Sequence, residues 1–244
     1  MSLRVTGAIA TRVLTQLRRD PRTVALLLGV PSMLIVLLHE LFAGRELVFQ
    51  RVGGPLLGLF PFVSMFVVTS ITMLRERTSG TLERLMTLPL AKLDLLAGYG
   101  IAFALLAAVQ ASLVSAIAFA WLDLHTDGPV VAVVALAIGN ATLGMALGLF
   151  ASAFASTEFQ AVQFMPAVVL PQMLLCGLFV ARSDMAGWLR GVSDALPLTY
   201  AYDALVHATQ DVFDGRFAAD LCVTIGATLL ALLLGALTLR RRTA

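Results

Sequence analysis

Residues 54–74 read Gly-Pro-Leu-Leu-Gly-Leu-Phe-Pro-Phe-Val-Ser-Met-Phe-Val-Val-Thr-Ser-Ile-Thr-Met-Leu, with no acid, base or histidine, and the next three are Arg75, Glu76 and Arg77. A helix of that length covers about 30 Å, the thickness of a bilayer's hydrocarbon core. The abrupt change to charge marks a membrane surface. Five more runs of this kind lie at about 23–43, 95–121, 130–155, 160–181 and 220–239. Pro31, Pro61, Pro166 and Pro171 fall inside runs, where membrane helices kink rather than stop. The pattern predicts an all-α membrane protein, one transmembrane domain over 1–244 with six membrane helices.

Composition agrees. Hydrophobic residues make up 59% of the 244 positions and charged residues only 13%, against about 45–50% and about 25% in soluble domains. A net charge of +2 indicates no nucleic-acid partner. Cys176 and Cys222 sit in or beside apolar runs and read as small packing residues. With three scattered histidines they make no metal signature.

Outward from the spans, residues 2–19 place Val5, Ile9, Val13 and Leu17 four apart among Arg4, Arg12, Arg18 and Arg19. This is the pattern of an interfacial helix, apolar side in lipid and arginines toward phosphates, and it holds no apolar core of a cleavable signal. With the N-terminus inside, twelve Lys and Arg fall on the inner side and five on the outer, so both termini are expected to be cytoplasmic. Two connections are long enough to carry function. One is 75–94 inside; the other is the semi-apolar stretch 182–219 outside, read as short helices dipping into the outer leaflet.

Absences narrow the chemistry. Lys92, the single lysine, stands between Ala91 and Leu93, so no Walker A site is present and any ATP must be bound by another chain. No His-Glu-x-x-His or Gly-x-Ser-x-Gly motif occurs. The spans hold no midplane relay of ionisable groups, because His39, Glu40 and Glu158 lie near span ends, which counts against a gradient-driven carrier. Gln110, Ser112, Ser115, Asn140, Thr142, Gln163 and Gln172 are polar and uncharged within spans. They read first as bonds between helices. The functional alternative is a substrate path, for which Gln110, Asn140, Met165 and Gln172 are the candidates. Gly139, Gly144 and Gly148 form a face for close helix approach.

In the cytoplasmic segment, Gly80 is placed to end a helix and Thr81 to cap the next. Leu82, Leu85, Met86 and Leu88 would give that short helix an apolar side; Glu76, Glu83 and Arg84 would give it a charged one. Such a helix suits docking to a soluble partner.

These residues resemble a motif of the type-2 ATP-binding-cassette (ABC) exporter permeases, Glu-x-x-x-Gly-Thr-x-Glu-x-Leu, matched by Glu76, Gly80, Thr81, Glu83 and Leu85. The external stretch is similar too, in Gly177-Leu178-Phe179, Trp188-Leu189, Leu196-Pro197-Leu198-Thr199-Tyr200 and Asp203-Ala204-Leu205, as is Arg19-Asp20-Pro21-Arg22 before the first span. Val180-Ala181-Arg182 departs from the proline many members carry there. The resemblance implies a bacterial plasma-membrane exporter subunit, not itself an enzyme, with an N-terminal interfacial helix, a cytoplasmic coupling helix and external re-entrant helices. It implies two ABC ATPase subunits, which would hold ATP and Mg, and a second permease, identical or homologous. Coupling would fall to Glu76, Gly80, Thr81, Leu82, Glu83, Arg84 and Leu85, and an external gate to Gly177, Trp188, Pro197, Tyr200 and Asp203. The expected cargo is a hydrophobic drug, antibiotic or lipid, with efflux and antibiotic resistance as the setting. The alternatives are an ATP-independent carrier or channel, which needs an ion or gradient site of its own, and a membrane scaffold or intramembrane enzyme, which needs a catalytic cluster.

Overall fold

The computed structural model describes residues 3–81 and 92–238. Helix starts follow local chemistry. After α1 (Leu3–Arg18), Asp20 caps α2 (Pro21–Leu41) by accepting from the Thr23 N–H and hydroxyl, with Pro21 at the first helical position, where its missing N–H costs nothing. Thr157 caps α6 (Glu158–Phe164) by accepting from the Gln160 N–H, while the Gln160 side chain reaches back to accept from the Ser156 N–H, a close variant of the capping box. Asp214 accepts from the N–H groups of Arg216 and Phe217 to start α10 (Gly215–Leu237).

Five helices among the described residues are long and apolar enough to cross a membrane: α2, α3 (Glu46–Thr78), α4 (Lys92–Ala120), α5 (Val130–Ala151) and α10. Their outward apolar side chains, such as Leu37, Leu105 and Leu229, are more than half exposed, an apolar surface of the kind that a bilayer or a partner helix covers. The chain is therefore a multi-pass helical membrane protein. Among the described residues there are no strands.

The run expected at 160–181 is divided. After α6, Met165–Val169 form a π turn, and α7 ends at Leu175 (Leu170–Leu175). Pro166 and Pro171 have no N–H to donate, and the Leu170 N–H bonds back to the Met165 carbonyl five residues earlier, the slip that defines a π turn. Beyond Cys176, Gly177 adopts φ +106°, a conformation that stops a helix there. A 3₁₀ turn (Arg182–Asp184), α8 (Gly187–Asp194) and α9 (Pro197–Thr209) occupy the stretch expected to hold short helices.

α3 is central. It packs most extensively against α5, where a Cβ on Gly144 or Gly148 would run into the backbone of Phe62 or Phe66. Gly139, expected on the same face, has open space around it. α1 lies on α4: Ile9, Val13 and Leu17 are buried, and a Cβ on Gly98 would stand 2.6 Å from the Ile9 side chain. The apolar stripe read as facing lipid is thus buried against protein, because α4 offers it a matching surface. α9 is enclosed by α3, α5, α7 and α10. Cys176 and Cys222 are free thiols.

The two glycine environments make opposite predictions. Gly144→Ala should destabilise by about 1–3 kcal/mol through overpacking against backbone that cannot yield. Gly139→Ala should be neutral or stabilising by up to about 1 kcal/mol. Thermal unfolding of the detergent-solubilised protein reads both; equal effects would contradict the close contact.

Candidate functional site

Three consecutive charges end α3, and each serves a different neighbour because successive helix residues point about 100° apart. Arg75 makes a two-pronged bond with Glu158 of α6, Nε to Oε1 at 2.7 Å and Nη2 to Oε2 at 3.0 Å. This pairing holds the Glu158 carboxyl below its ordinary range. Glu76 faces α1, where Arg12 Nη2 donates to both carboxylate oxygens at 3.2 and 3.1 Å and Gln16 Nε2 donates to one at 3.2 Å. Arg12 and Gln16 sit four apart and so share a face of α1. Arg12 also reaches the Tyr99 hydroxyl of α4. Arg77 approaches the Thr238 hydroxyl at the end of α10.

Glu76 is buried, with its side chain 9% exposed. Expected on the charged side of a separate docking helix, it belongs instead to the last turns of α3 and faces inward. Arg12, expected to face phosphates, turns inward as its partner. Ser79 closes α3 and Gly80 takes φ +70° with no neighbour near, the left-handed stop that glycine permits. Thr81 follows. Leu82, Glu83, Arg84 and Leu85 lie outside the described residues, as do Met86 and Leu88.

Beside this junction a cavity of about 840 Å³ opens between α1, α2, α3 and the α6–α7 strip. Its walls are apolar, including Val30, Leu34, Val67, Met165 and Met173; Gln16, Asp20, Arg75, Glu76 and Thr81 line its polar part. Asp20 stays ionised more readily than an ordinary aspartate, because Thr23 donates to its carboxylate. Of the four substrate-path candidates, Met165 lines this cavity.

The three amides have bonded duties. Gln110, fully buried in α4, donates from Nε2 to the Leu27 carbonyl at 2.6 Å and to the Ser64 hydroxyl at 2.8 Å. That carbonyl would normally be met by the N–H of residue 31, which is proline. Gln172 accepts from the Leu198 N–H at 3.4 Å, a donor left open at the start of α9. Asn140 donates to the Ala201 carbonyl at 3.2 Å. Gln172 and Asn140 therefore anchor α9, and Asn140 also borders a smaller groove.

At the α9 end, Arg182 bonds Asp203 at 2.7 Å and also holds Asp194. Burial outweighs this pairing and raises the Asp203 carboxyl above its ordinary value. Tyr200 donates to the Asp194 carbonyl at 2.6 Å, and the open side of Gly177 faces Tyr202 and Arg182. Pro197 opens α9, while Trp188 stands 72% exposed on α8, away from this cluster. At the far end of α9, the N–H groups of Asp127 and Gly128 meet the Thr209 carbonyl. Arg182, the centre of the cluster, carries no local sequence signal, because its partners Asp194 and Asp203 stand 12 and 21 residues away on two other helices. Among the described residues no group of His, Cys, Asp and Glu is arranged to hold a metal.

Long apolar helices, a charged junction at the end of one and a half-open, largely apolar cavity beside it fit a membrane permease. The family model described as ABC-2 type transporter matches residues 4–209, and the chain belongs to that family. It is 25% identical over 147 residues to ABC transporter G family member 20 of Dictyostelium discoideum, covering 60% of this chain and 20% of that protein. It is 27% identical over 154 residues to the probable multidrug ABC transporter permease YbhR of Escherichia coli K12, covering 61% of this chain and 40% of that protein. The matched stretch thus spans well under two thirds of the length of these relatives.

If Arg12 and Glu76 act as a unit, Arg12→Ala should cost about 1.5–3 kcal/mol, the range for hydrogen bonds to a charged group. A double-mutant cycle with Glu76→Ala, followed by thermal unfolding, should give a coupling of about 0.5–3 kcal/mol. Additive single effects would mean that the two do not form a clasp.

Proposed function

We propose that this chain is the membrane subunit of an ABC exporter, moving a hydrophobic or amphipathic molecule, a drug, antibiotic or lipid, out across a bacterial plasma membrane. ATP and Mg reside on two copies of a partner ATPase, and a second permease, identical or homologous, completes the path. Both termini are cytoplasmic. The observation that carries this reading is the cavity beside the α3 terminus. Its polar part begins at Glu76 and Thr81, where the coupling segment departs, and its walls continue in apolar side chains of α2, α3 and α7.

In this reading the ATPase grips residues 81–88, with Glu83 and Arg84 at the contact, and Glu76 passes the movement inward rather than touching the partner. ATP binding shifts the α3 terminus, and the cavity changes shape beside it. A cargo with a largely apolar body fits walls that carry no charge outside the polar part. The Arg182 cluster and α9 act as the external gate, with Gly177, Pro197, Tyr200 and Asp203 as its packed members. Its internal bonds supply the closed resting state. The multidrug name of the YbhR relative supports this cargo class.

Two variants separate coupling from cargo passage. The chain is to be purified with an ABC ATPase encoded beside its gene, reconstituted, and assayed for ATP hydrolysis and transport. Glu83→Ala should lower transport-stimulated hydrolysis at least about tenfold, roughly 1.4 kcal/mol, with expression unchanged. Val67→Trp, which fills the cavity, should block transport while the ATPase still co-purifies. If no ATPase binds the folded chain, the exporter reading fails. If Val67→Trp transports normally, the cargo does not use this cavity.

A further inference from the structure

A second hollow, about 300 Å³, lies between α5, α9 and α10. Its floor is made of small residues, Gly139 on α5 and Ala201 and Ala204 on α9, and one wall is Ile225 and Leu229 of α10. Nothing stands within 4 Å of where a Cβ of Gly139 would lie. The glycine here leaves space rather than admitting a helix.

The polar groups around the hollow are already satisfied. The Thr142, Thr224 and Thr228 hydroxyls each donate to a carbonyl of their own helix at 2.8 Å, and the Asn140 amide donates to Ala201. A trapped water needs two to four polar partners, so water has little to hold it here. Left empty, the lining would lose dispersion contacts on one side. The hollow is continuous with the lipid-facing surface: Ile225 and Leu229, which line it, are also 50% and 61% exposed. Both α5 and α10 are among the helices long and apolar enough to cross a membrane.

We propose that this groove seats the hydrocarbon chain of a bilayer lipid. The volume is about ten times the share of one liquid water, about 30 Å³, enough for a section of one acyl chain. The seated chain lies along Ile225 and Leu229 of α10 and beside Gly139 of α5, over a floor closed by the buried Ala201 and Ala204 of α9. The proposal rests on the membrane-spanning fold and not on export.

The test reads binding directly. The full chain is placed in nanodiscs of phosphatidylcholine carrying a photoactivatable group on one acyl chain, irradiated, and its adducts mapped by mass spectrometry. Adducts should concentrate on residues 135–142 and 221–229. Gly139→Leu, which fills the groove, should lower them about tenfold, the effect of losing roughly 1.4 kcal/mol of binding. Thr228→Leu should do the same from the opposite wall. Gly100→Leu, a glycine of α4 with equally open surroundings, should leave them unchanged. Adducts spread evenly over all outward faces would overturn the proposal. So would a disulfide-linked dimer through Thr228→Cys that excludes the label, because a second copy would then fill the groove.

Discussion

A carbonyl without a partner is costly in hydrocarbon, and Pro31 creates one at Leu27. The Gln110 amide answers it and in the same reach bonds Ser64. One side chain on α4 thus fixes α2 and α3 at a depth where water cannot substitute. The same logic recurs where Pro197 opens α9, since the next N–H, that of Leu198, is met by Gln172 from α7. At Pro166 and Pro171 the answer is internal: the backbone slips into a π turn. At Pro31 and Pro197, then, an amide from a neighbouring helix decides what the interrupted backbone is fastened to. Much of the remaining packing, including the enclosure of α9, depends on those fastenings.

That division explains what the sequence made legible. Apolar length picked out five of the six expected spans as long helices, while the run at 160–181 is divided; 54–74 lies wholly inside α3. The helix nevertheless runs from Glu46 to Thr78, because backbone hydrogen bonding does not stop at the membrane surface where the apolar run does. The four-residue stripe of α1 was plain, but a stripe that faces lipid and one that faces α4 have the same composition. Gly139, Gly144 and Gly148 likewise looked alike. Only the neighbouring helix tells the two that admit backbone from the one that leaves a hollow. Of the path candidates, Met165 reached the cavity, whereas Gln110, Asn140 and Gln172 became fasteners. A polar group within a span can serve either end, and its partner lies dozens of residues away.

The charged end of α3 shows how such long-range partners organise a site. Arg75, Glu76 and Arg77 are adjacent in sequence, so helical geometry sends them to three separate neighbours. Their ties differ in strength. Arg75 and Glu158 are each more than half exposed, and an ion pair in that setting is worth about 0–1 kcal/mol. Glu76 is buried against Arg12 and Gln16, and removing a partner there would strand a charge in a poorly solvated place. The α1–α3 tie is therefore the durable one, and the α3–α6 tie the one that opens at small cost. Both border the cavity, which α1 and α2 wall on one side and the α6–α7 strip on the other. A displacement of the α3 terminus would pull through the Glu76 clasp on α1, which lies on α4, and would slide along α6, on which α3 also packs. The cavity would then widen along the wall formed by Met165 and Met173, where two flexible, polarizable side chains can re-pack without leaving a polar group exposed.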